Sequence, residues 1–394
     1  MIRSLLVAFA LVVGLLPAAG VAKPDPYIIY VIDPLSGPNA YFGEQLQQVL
    51  QLYESVANAS GGIKGRPIQF QFLDDESKAQ VAVELFGQLA SKHVPAILGP
   101  DSQSECRAVL PLTVHGPVVY CFTPGIFPPP GYLFSAAADI GHTEHVLLKY
   151  AHDSGAKRLA LLVETDATGQ SSDKLLPQTL AKPDLAGMDV VVTQHFEPSA
   201  ISISAQVANI KAANPQYIYV SATGTPFQTV LRGLIDGGLD IPVVTSSANM
   251  DLRVLRPFGT TLPPLAFNAP PSWNVAAMRS GPLKAVVDAY RGAYKAGGGI
   301  PSPNDEMAWD PASIIVASLR KLGTNATADQ IHDFIENLHD FPGLGGYYDF
   351  RTGNQHGLGE DAVIVVSYDS AHQRFIPVSK PGGEPLGPVN QLSH

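Results

Sequence analysis

Several features are scarce in this sequence, and each scarcity removes a class of function. Past residue 22 no stretch is long and apolar enough to span a bilayer, so no transmembrane helix is expected after that point. Clustered positive charge is missing too: 25 Lys and Arg stand against 35 Asp and Glu, a net charge of −10 spread along the chain. Nucleic acid and anionic membrane surfaces are therefore not expected partners. No G-x-S-x-G elbow exists, and no serine sits in a Ser-His-Asp context. The stretch GPDSQS (99–104) lacks the glycine spacing and terminal Lys of a phosphate-binding loop. HTEH (142–145), with His152 nearby, is not H-E-x-x-H, and its position suits the start of a surface helix. Asp74 and Asp75 end a strand, where neighbouring side chains point to opposite faces; capping suits them better than catalysis. No enzymatic activity, metal or cofactor is expected.

Only two cysteines are present, Cys106 and Cys121. The compartment decides how to read them. The opening MIRSLLVAFALVVGLLPAAGVA has an early Arg3, an apolar run from Leu5 to Leu16, and small residues Gly20 and Ala22 before Lys23. That is the layout of a signal peptide over residues 1–22. The run falls short of the roughly 20 residues of a membrane span, leaving a retained anchor as the alternative. No cysteine lies near the cleavage site, which excludes lipid attachment there. The expected product is an exported, soluble chain. In an oxidising compartment two cysteines at this spacing suit a disulfide, with two free buried thiols as the alternative.

The remaining length suggests two domains of about 150–200 residues. Strands and helices alternate along it. YIIYVID (27–33) is an apolar strand, and the helix after it places Leu46, Val49, Leu50, Tyr53 and Val56 on one face before Gly61-Gly62. PIQFQFLDD (67–75) alternates with period two; a helix (78–92) and strands at 94–98 and 117–122 follow. The pattern restarts at KRLALLVET (158–165) and runs through strands at 188–196, 216–222 and 241–247. Such alternation means parallel sheets with helices on both faces, and two sets in series mean two α/β lobes. The last third breaks the pattern, with helices near 277–297, 305–321 and 327–339, then strands at YYDF (347–350) and AVIVVSYD (362–369). Helices without strands of their own must cover another sheet. The chain is thus expected to cross between lobes three times, giving one lobe from 23–140 with 270–346 and another from 141–269 with 347–394.

Ligands of open α/β sheets bind outside the carboxyl ends of the strands. Those ends here read DPLSGPNAYFG, LGPDSQSEC, CFTPGIF, TDATGQSS, SATGTPF and TSSANMD, short and rich in Gly, Ser, Thr and Asn. Several open helices, whose free N–H groups favour an anionic group. The pattern Ser36-Gly37-Pro38 with Gly43, Gly61-Gly62-Ile63 with Gly65, Asp74-Asp75, and Gly99-Pro100 with Ser102 resembles the branched-chain amino acid (Leu/Ile/Val)-binding family. These are type I periplasmic solute-binding proteins of ABC importers. The resemblance extends over essentially the whole mature chain, with ATGQ (167–170) where the family usually has Tyr-Gly. It implies two Rossmann-like lobes joined by a three-crossover hinge.

The resemblance also implies where a solute would sit. Ser102 and Gln103 match the serine pair that holds the ligand carboxylate, with Gln103 replacing the second serine. The TPGIF loop (123–127) points to Gly125 and Phe127, and Thr168 stands in place of a pocket tyrosine. Thr223 or Gly224 stands in place of another. Where the family supplies an acid for an α-ammonium group, this chain has Ser246, Ser247 and Asn249, with Asp251 slightly displaced. A buried ammonium without an opposite charge costs several kcal/mol, so an α-amino acid is less expected, though Asp251, Glu306 or Asp310 could substitute. Tyr41, Phe42, Phe127, Trp273 and Trp309 lie in or beside these segments, where an aromatic suits either the pocket or the core. The reading is a monomeric periplasmic solute-binding protein. It takes an aromatic or other small carboxylate or amide to an ABC permease in the inner membrane. A ligand-sensing protein serving a membrane receptor, or a periplasmic hydrolase, are the alternatives. A bond between Cys106 and Cys121 would then tie two pocket loops together.

Overall fold

The computed structural model describes residues 24–387. The expected signal peptide lies outside them. Strands β1 (Tyr27–Asp33), β2 (Ile68–Asp74), β3 (Ala96–Leu98), β4 (Val118–Cys121) and β5 (Leu133–Ser135) alternate at first with α1 (Ala40–Ala59), α2 (Ala79–Ser91) and α3 (Gln103–Val109). They form one sheet in the order β2-β1-β3-β4-β5, parallel throughout. Edge strand β2 keeps its period of two: Ile68 and Phe70 are buried, Gln69 and Gln71 exposed. Inner strands β3 and β4 are buried on both faces, which is why their sequences are unbroken apolar runs. After α1, Gly61 and Gly62 take φ of 96° and 57°, a region that costs glycine little.

The second sheet begins after α4 (Ile140–Asp153). It takes β6 (Arg158–Glu164), β7 (Asp189–Phe196), β8 (Tyr217–Ser221), β9 (Val243–Thr245) and β10 (Leu265–Ala269). Between them run α5 (Ala167–Leu180), α6 (Ser204–Ala213), α7 (Thr225–Asp236) and the short α8 (Leu252–Leu255). Then α9 (Pro282–Gly297), α10 (Glu306–Leu322) and α11 (Ala328–Glu336) return to the first lobe. There α9 and α10 pack on α1, and α11 on β4. A hairpin of β11 (Phe341–Pro342) and β12 (Tyr347–Tyr348) precedes β13 (Ile364–Asp369) and β14 (Arg374–Pro377). The second sheet has the order β14-β13-β10-β9-β8-β6-β7, and only β13 and β14 are antiparallel to their neighbours.

Two sheets flanked by helices, with three passages between them, make the type I periplasmic binding protein architecture. Some elements differ from the sequence reading. YYDF contributes only Tyr347–Tyr348, paired with Phe341–Pro342 outside both large sheets. The residues after it stay with the first lobe: Ser135 N–H donates to Gln355 O at 3.1 Å, and the His356 ring contacts Ala137 O and Ile126 O. Glu360 already pairs with Lys182 and His145 of the second lobe, so the third passage runs from His356 to Glu360 instead of near Tyr347. HTEH opens α4, yet that helix is not a surface one: Glu144 and His145 are buried, and His145 bridges Asp184 and Glu360. Trp309 is core, packed edge-on against Tyr53 and Tyr290. A disulfide joins Cys106 on α3 to Cys121 at the end of β4, with Cα atoms 6.2 Å apart. Among the described residues no helix is long and apolar enough to cross a membrane.

Candidate functional site

The carboxyl ends of the two sheets face each other, and side chains meet across the gap at three places. Tyr41 Oη, at the start of α1, donates to Asp251 Oδ2 at 2.7 Å, and the Arg253 guanidinium lies 4.5 Å over the Tyr41 ring. Ser247 Oγ, after β9, donates to Asn304 Oδ1 at 3.0 Å, just ahead of α10. Ser171 Oγ on α5 donates to Gln103 Oε1 on α3 at 3.2 Å, and Arg107 Nη2 lies 3.4 Å from the same hydroxyl. Between the first two contacts lies a cavity of 830 Å³ walled by Tyr41, Phe42, Met250, Trp273, Asn304 and Glu306 among others. That volume lies within the range of small-molecule sites.

The residues picked from sequence fall into three groups. Gln103 and Gly125 come together: Gly125 is packed so closely that a Cβ there would collide with the Gln103 amide. Gln103 Oε1 also accepts from Arg107 at 3.0 Å, so this amide bridges the lobes. Ser102 stands beside them, but its hydroxyl caps α3, accepting from Glu105 N–H at 3.3 Å and pairing with Ser104 Oγ at 2.9 Å. On the second lobe, Thr168 is half-buried in the first turn of α5, while Thr223 and Gly224 precede α7, Gly224 with φ of 64°. Ser246 and Ser247 flank the cavity wall, and Trp273 lines it with its ring edge-on to Phe375.

Of the candidates picked from sequence, Trp273 lines the 830 Å³ cavity and the others lie beyond its walls. Phe127 is 53% exposed beside His356, away from the cavity walls. Asn249 is fully buried, its Nδ2 donating to Ala222 O at 2.8 Å and Thr245 Oγ1 at 2.9 Å, so it braces the loop from beneath. Sequence reasoning did not single out Arg107, Ser171 or Asn304. Arg107 follows Gln103 by one helical turn, a spacing that puts both on one face. Ser171 stands likewise one turn after Ala167.

Acids crowd the first-lobe side. The adjacent strands β2, β1 and β3 end beside Asp75, Asp33 and Asp101. Burial, with neighbouring carboxylates, pushes Asp75 and Asp101 up to about 7, and Asp33 well above the usual range. At α10, burial also raises Asp305, although Tyr290, Tyr294 and Gln45 side chains and the Ser302 N–H all donate to it. Asp310, pushed up to about 6 by burial, accepts from Leu344 N–H at 2.7 Å, Gly345 N–H at 2.8 Å and Tyr348 Oη at 2.9 Å. Glu306 is driven well above the usual range by burial and by Asp310 and Asp305. In the loop where the family resemblance implies an ammonium-binding acid, Asp251 is present but engaged by Tyr41 and Arg253. Among the described residues no three His, Cys, Asp or Glu side chains are placed to hold a metal ion.

Known proteins give this arrangement a context. Residues 28–373 match the family described as "Periplasmic binding protein". A Leu/Ile/Val-binding protein homolog 3 of Brucella melitensis is 24% identical over 245 residues, 60% of this chain and 64% of that protein, just under two thirds of its length. Among solved structures, a periplasmic binding protein type 1 from Bordetella pertussis superposes with a TM-score of 0.74 at 24% identity, covering 92% of this chain and 100% of that one. The branched-chain amino acid transporter substrate-binding protein LivJ of Streptococcus pneumoniae, in complex with isoleucine, gives a TM-score of 0.70 at 18% identity over 90% of this chain and 99% of that one. The family match spans both lobes and the passages between them, and the chain belongs to the periplasmic binding protein family.

Proposed function

We propose that this chain captures one small solute in the 830 Å³ interlobe cavity and delivers it to an ABC importer. The observation that supports this most is that both lobes wall the cavity: Tyr41, Phe42, Asn304 and Glu306 from the first, Met250 and Asp251 from the second. A solute there touches both lobes only when they are closed, so its binding energy favours the closed state. The closed surface is then what a permease recognises. Family membership implies an extracytoplasmic setting and a solute-binding, non-enzymatic role. The relatives bear names for leucine, isoleucine and valine, which sets amino acids beside the aromatic acids, small carboxylates and amides that the wall chemistry suits. The protein is taken to act as a monomer in the periplasm.

A thermal-shift screen against amino acids, amides and aromatic acids tests this reading. One chemical class is expected to raise the melting temperature, and Asn304→Leu, which removes a polar wall group joined to the second lobe, is expected to weaken that effect. A blank screen across all three classes contradicts the proposal.

A further inference from the structure

Tyr41 and Asp251 come from opposite lobes, and each is held in place by its own lobe. Tyr41 is the second residue of α1, whose first turn is pressed onto the chain leaving β1: a Cβ on Gly43 would come within 2.1 Å of Pro34 O. Asp251 caps the short α8, its Oδ1 accepting from Arg253 N–H at 2.7 Å. The Arg253 guanidinium grips the same carboxylate twice, with Nε 3.0 Å from Oδ1 and Nη2 2.8 Å from Oδ2. Buried Asn249 braces that loop from beneath. Across the gap Tyr41 Oη donates to Asp251 Oδ2 at 2.7 Å, and the Arg253 guanidinium lies 4.5 Å over the Tyr41 ring. A cation in that position is attracted to the face of the ring.

This contact differs in kind from the other two between the lobes. Those rest on neutral acceptors: Asn304 Oδ1 takes Ser247 at 3.0 Å, Gln103 Oε1 takes Ser171 at 3.2 Å, and Ser171 Oγ takes Arg107 at 3.4 Å. A carboxylate acceptor makes a shorter and stronger hydrogen bond than a neutral one. Groups already held in their bound positions also lose little freedom when they meet. Arg253 serves both partners at once, orienting the acid of its own lobe and covering the ring of the other. We propose that Tyr41, Asp251 and Arg253 form a latch that holds the lobes together through protein contacts alone, so that the closed state is populated before a solute arrives.

All three residues border the 830 Å³ cavity, so they part when the lobes open there. A solute that binds the closed form has an apparent affinity reduced by the fraction of molecules that are closed, and the latch raises that fraction. One partly exposed hydrogen bond shifts the ratio of closed to open molecules about fivefold, enough to tune affinity without deciding it. The latch rests on the lobes moving as the proposed closure requires, but not on what they bind.

The test is a distance between the lobes, measured on the full chain without solute. Spin labels go on cysteines placed at Gln80 of α2 and Lys174 of α5, both exposed; Cys106 and Cys121 are joined to each other and take no label. Pulsed dipolar spectroscopy should show a short and a long population in the otherwise wild-type protein. Tyr41→Phe keeps the ring and loses the donor, and Asp251→Asn loses the charge but can still cap α8. Each should raise the ratio of open to closed molecules about fivefold. The double substitution should do no more than either alone, because both remove one contact. Should Asp251→Asn fail to fold, Tyr41→Phe alone decides. Identical distance distributions in wild type and variants overturn the latch. A wild type without a short population overturns it too, as does a double effect equal to the product of the single ones. A blank solute screen leaves the latch standing, and unchanged distances beside a solute that binds remove the latch alone.

Discussion

The hydroxyl of Ser102 has a structural duty that its place in a pocket motif conceals. It accepts from Glu105 N–H while the Glu105 carboxylate accepts from Ser102 N–H at 3.2 Å, a capping box at the start of α3. Ser102→Ala should therefore lower the stability of the empty protein by about 1 kcal/mol, the usual cost of a lost cap. Ser102→Asp, which can cap as well, should recover most of that loss in urea unfolding. A stability unchanged by Ser102→Ala would contradict the cap. At this scale the sequence identified which loops matter better than which side chains face the cavity. The turns after strands pointed to Gln103 and Ser247, which make contacts across the lobes, and to Trp273, which lines the cavity. Asn249 looks like a pocket amide in TSSANMD, but its buried hydrogen bonds to Ala222 and Thr245 appear only once β8 and β9 lie side by side. Arg107, Ser171 and Asn304 meet partners 64, 68 and 57 positions away, a proximity no local pattern encodes.

Elements with strong periodicity were legible, and short ones were not. α1 and β2 announce themselves by apolar spacing. β10, in the middle of the second sheet, is five residues between Pro263-Pro264 and Pro270-Pro271, where flanking prolines read as loop. β12 carries two strand-forming tyrosines, yet its pairing ends after two residues because Asp349 N–H turns to Gly357 O and Phe350 N–H to Leu338 O. The disulfide belongs to this scale, since it fastens α3, which carries Gln103, to the strand that precedes the 123–127 loop. It closes a loop of 15 residues, worth about 3 kcal/mol by chain entropy. Replacing both Cys106 and Cys121 by alanine should cost about that much in urea unfolding. Affinity for the solute should fall as well, because the Gln103 amide that meets Ser171 across the lobes in the closed state would be less firmly held. An affinity unchanged in the doubly substituted protein would separate the bond from closure of the lobes.

At the scale of the molecule, buried acids set the pH dependence. Burial, aided by Glu105, raises Asp75 and Asp101 to about 7. Burial raises Glu144 to about 7 against hydrogen bonds from Ser172 and Tyr219, and raises Glu164 to about 7 together with Asp166. A carboxyl whose folded pKa exceeds its unfolded one is penalised when it ionises, so stability is lost as pH rises from the unfolded to the folded value. Thermal stability of the empty protein should therefore decline between about pH 5 and 8. Further acidification should reverse the trend. Asp139 is held low because its hydrogen bond and ion pair with His142 outweigh burial, and Asp74 because Ser36, Glu76 and Leu35 donate to it. Those contributions are lost as pH falls through the folded values. A melting temperature that climbs steadily from about pH 5 to 8 would contradict this.

Closure of two lobes on a solute in the cavity is the central claim, and the protein carries its own reporter. Of its two tryptophans, Trp273 lines the cavity while Trp309 is buried in the first lobe's core. Titration with a solute found by thermal shift, followed by calorimetry and tryptophan emission together, should give one saturable transition with the same midpoint in both signals. Saturable heat with unchanged emission would place the solute away from Trp273 and contradict binding in the interlobe cavity.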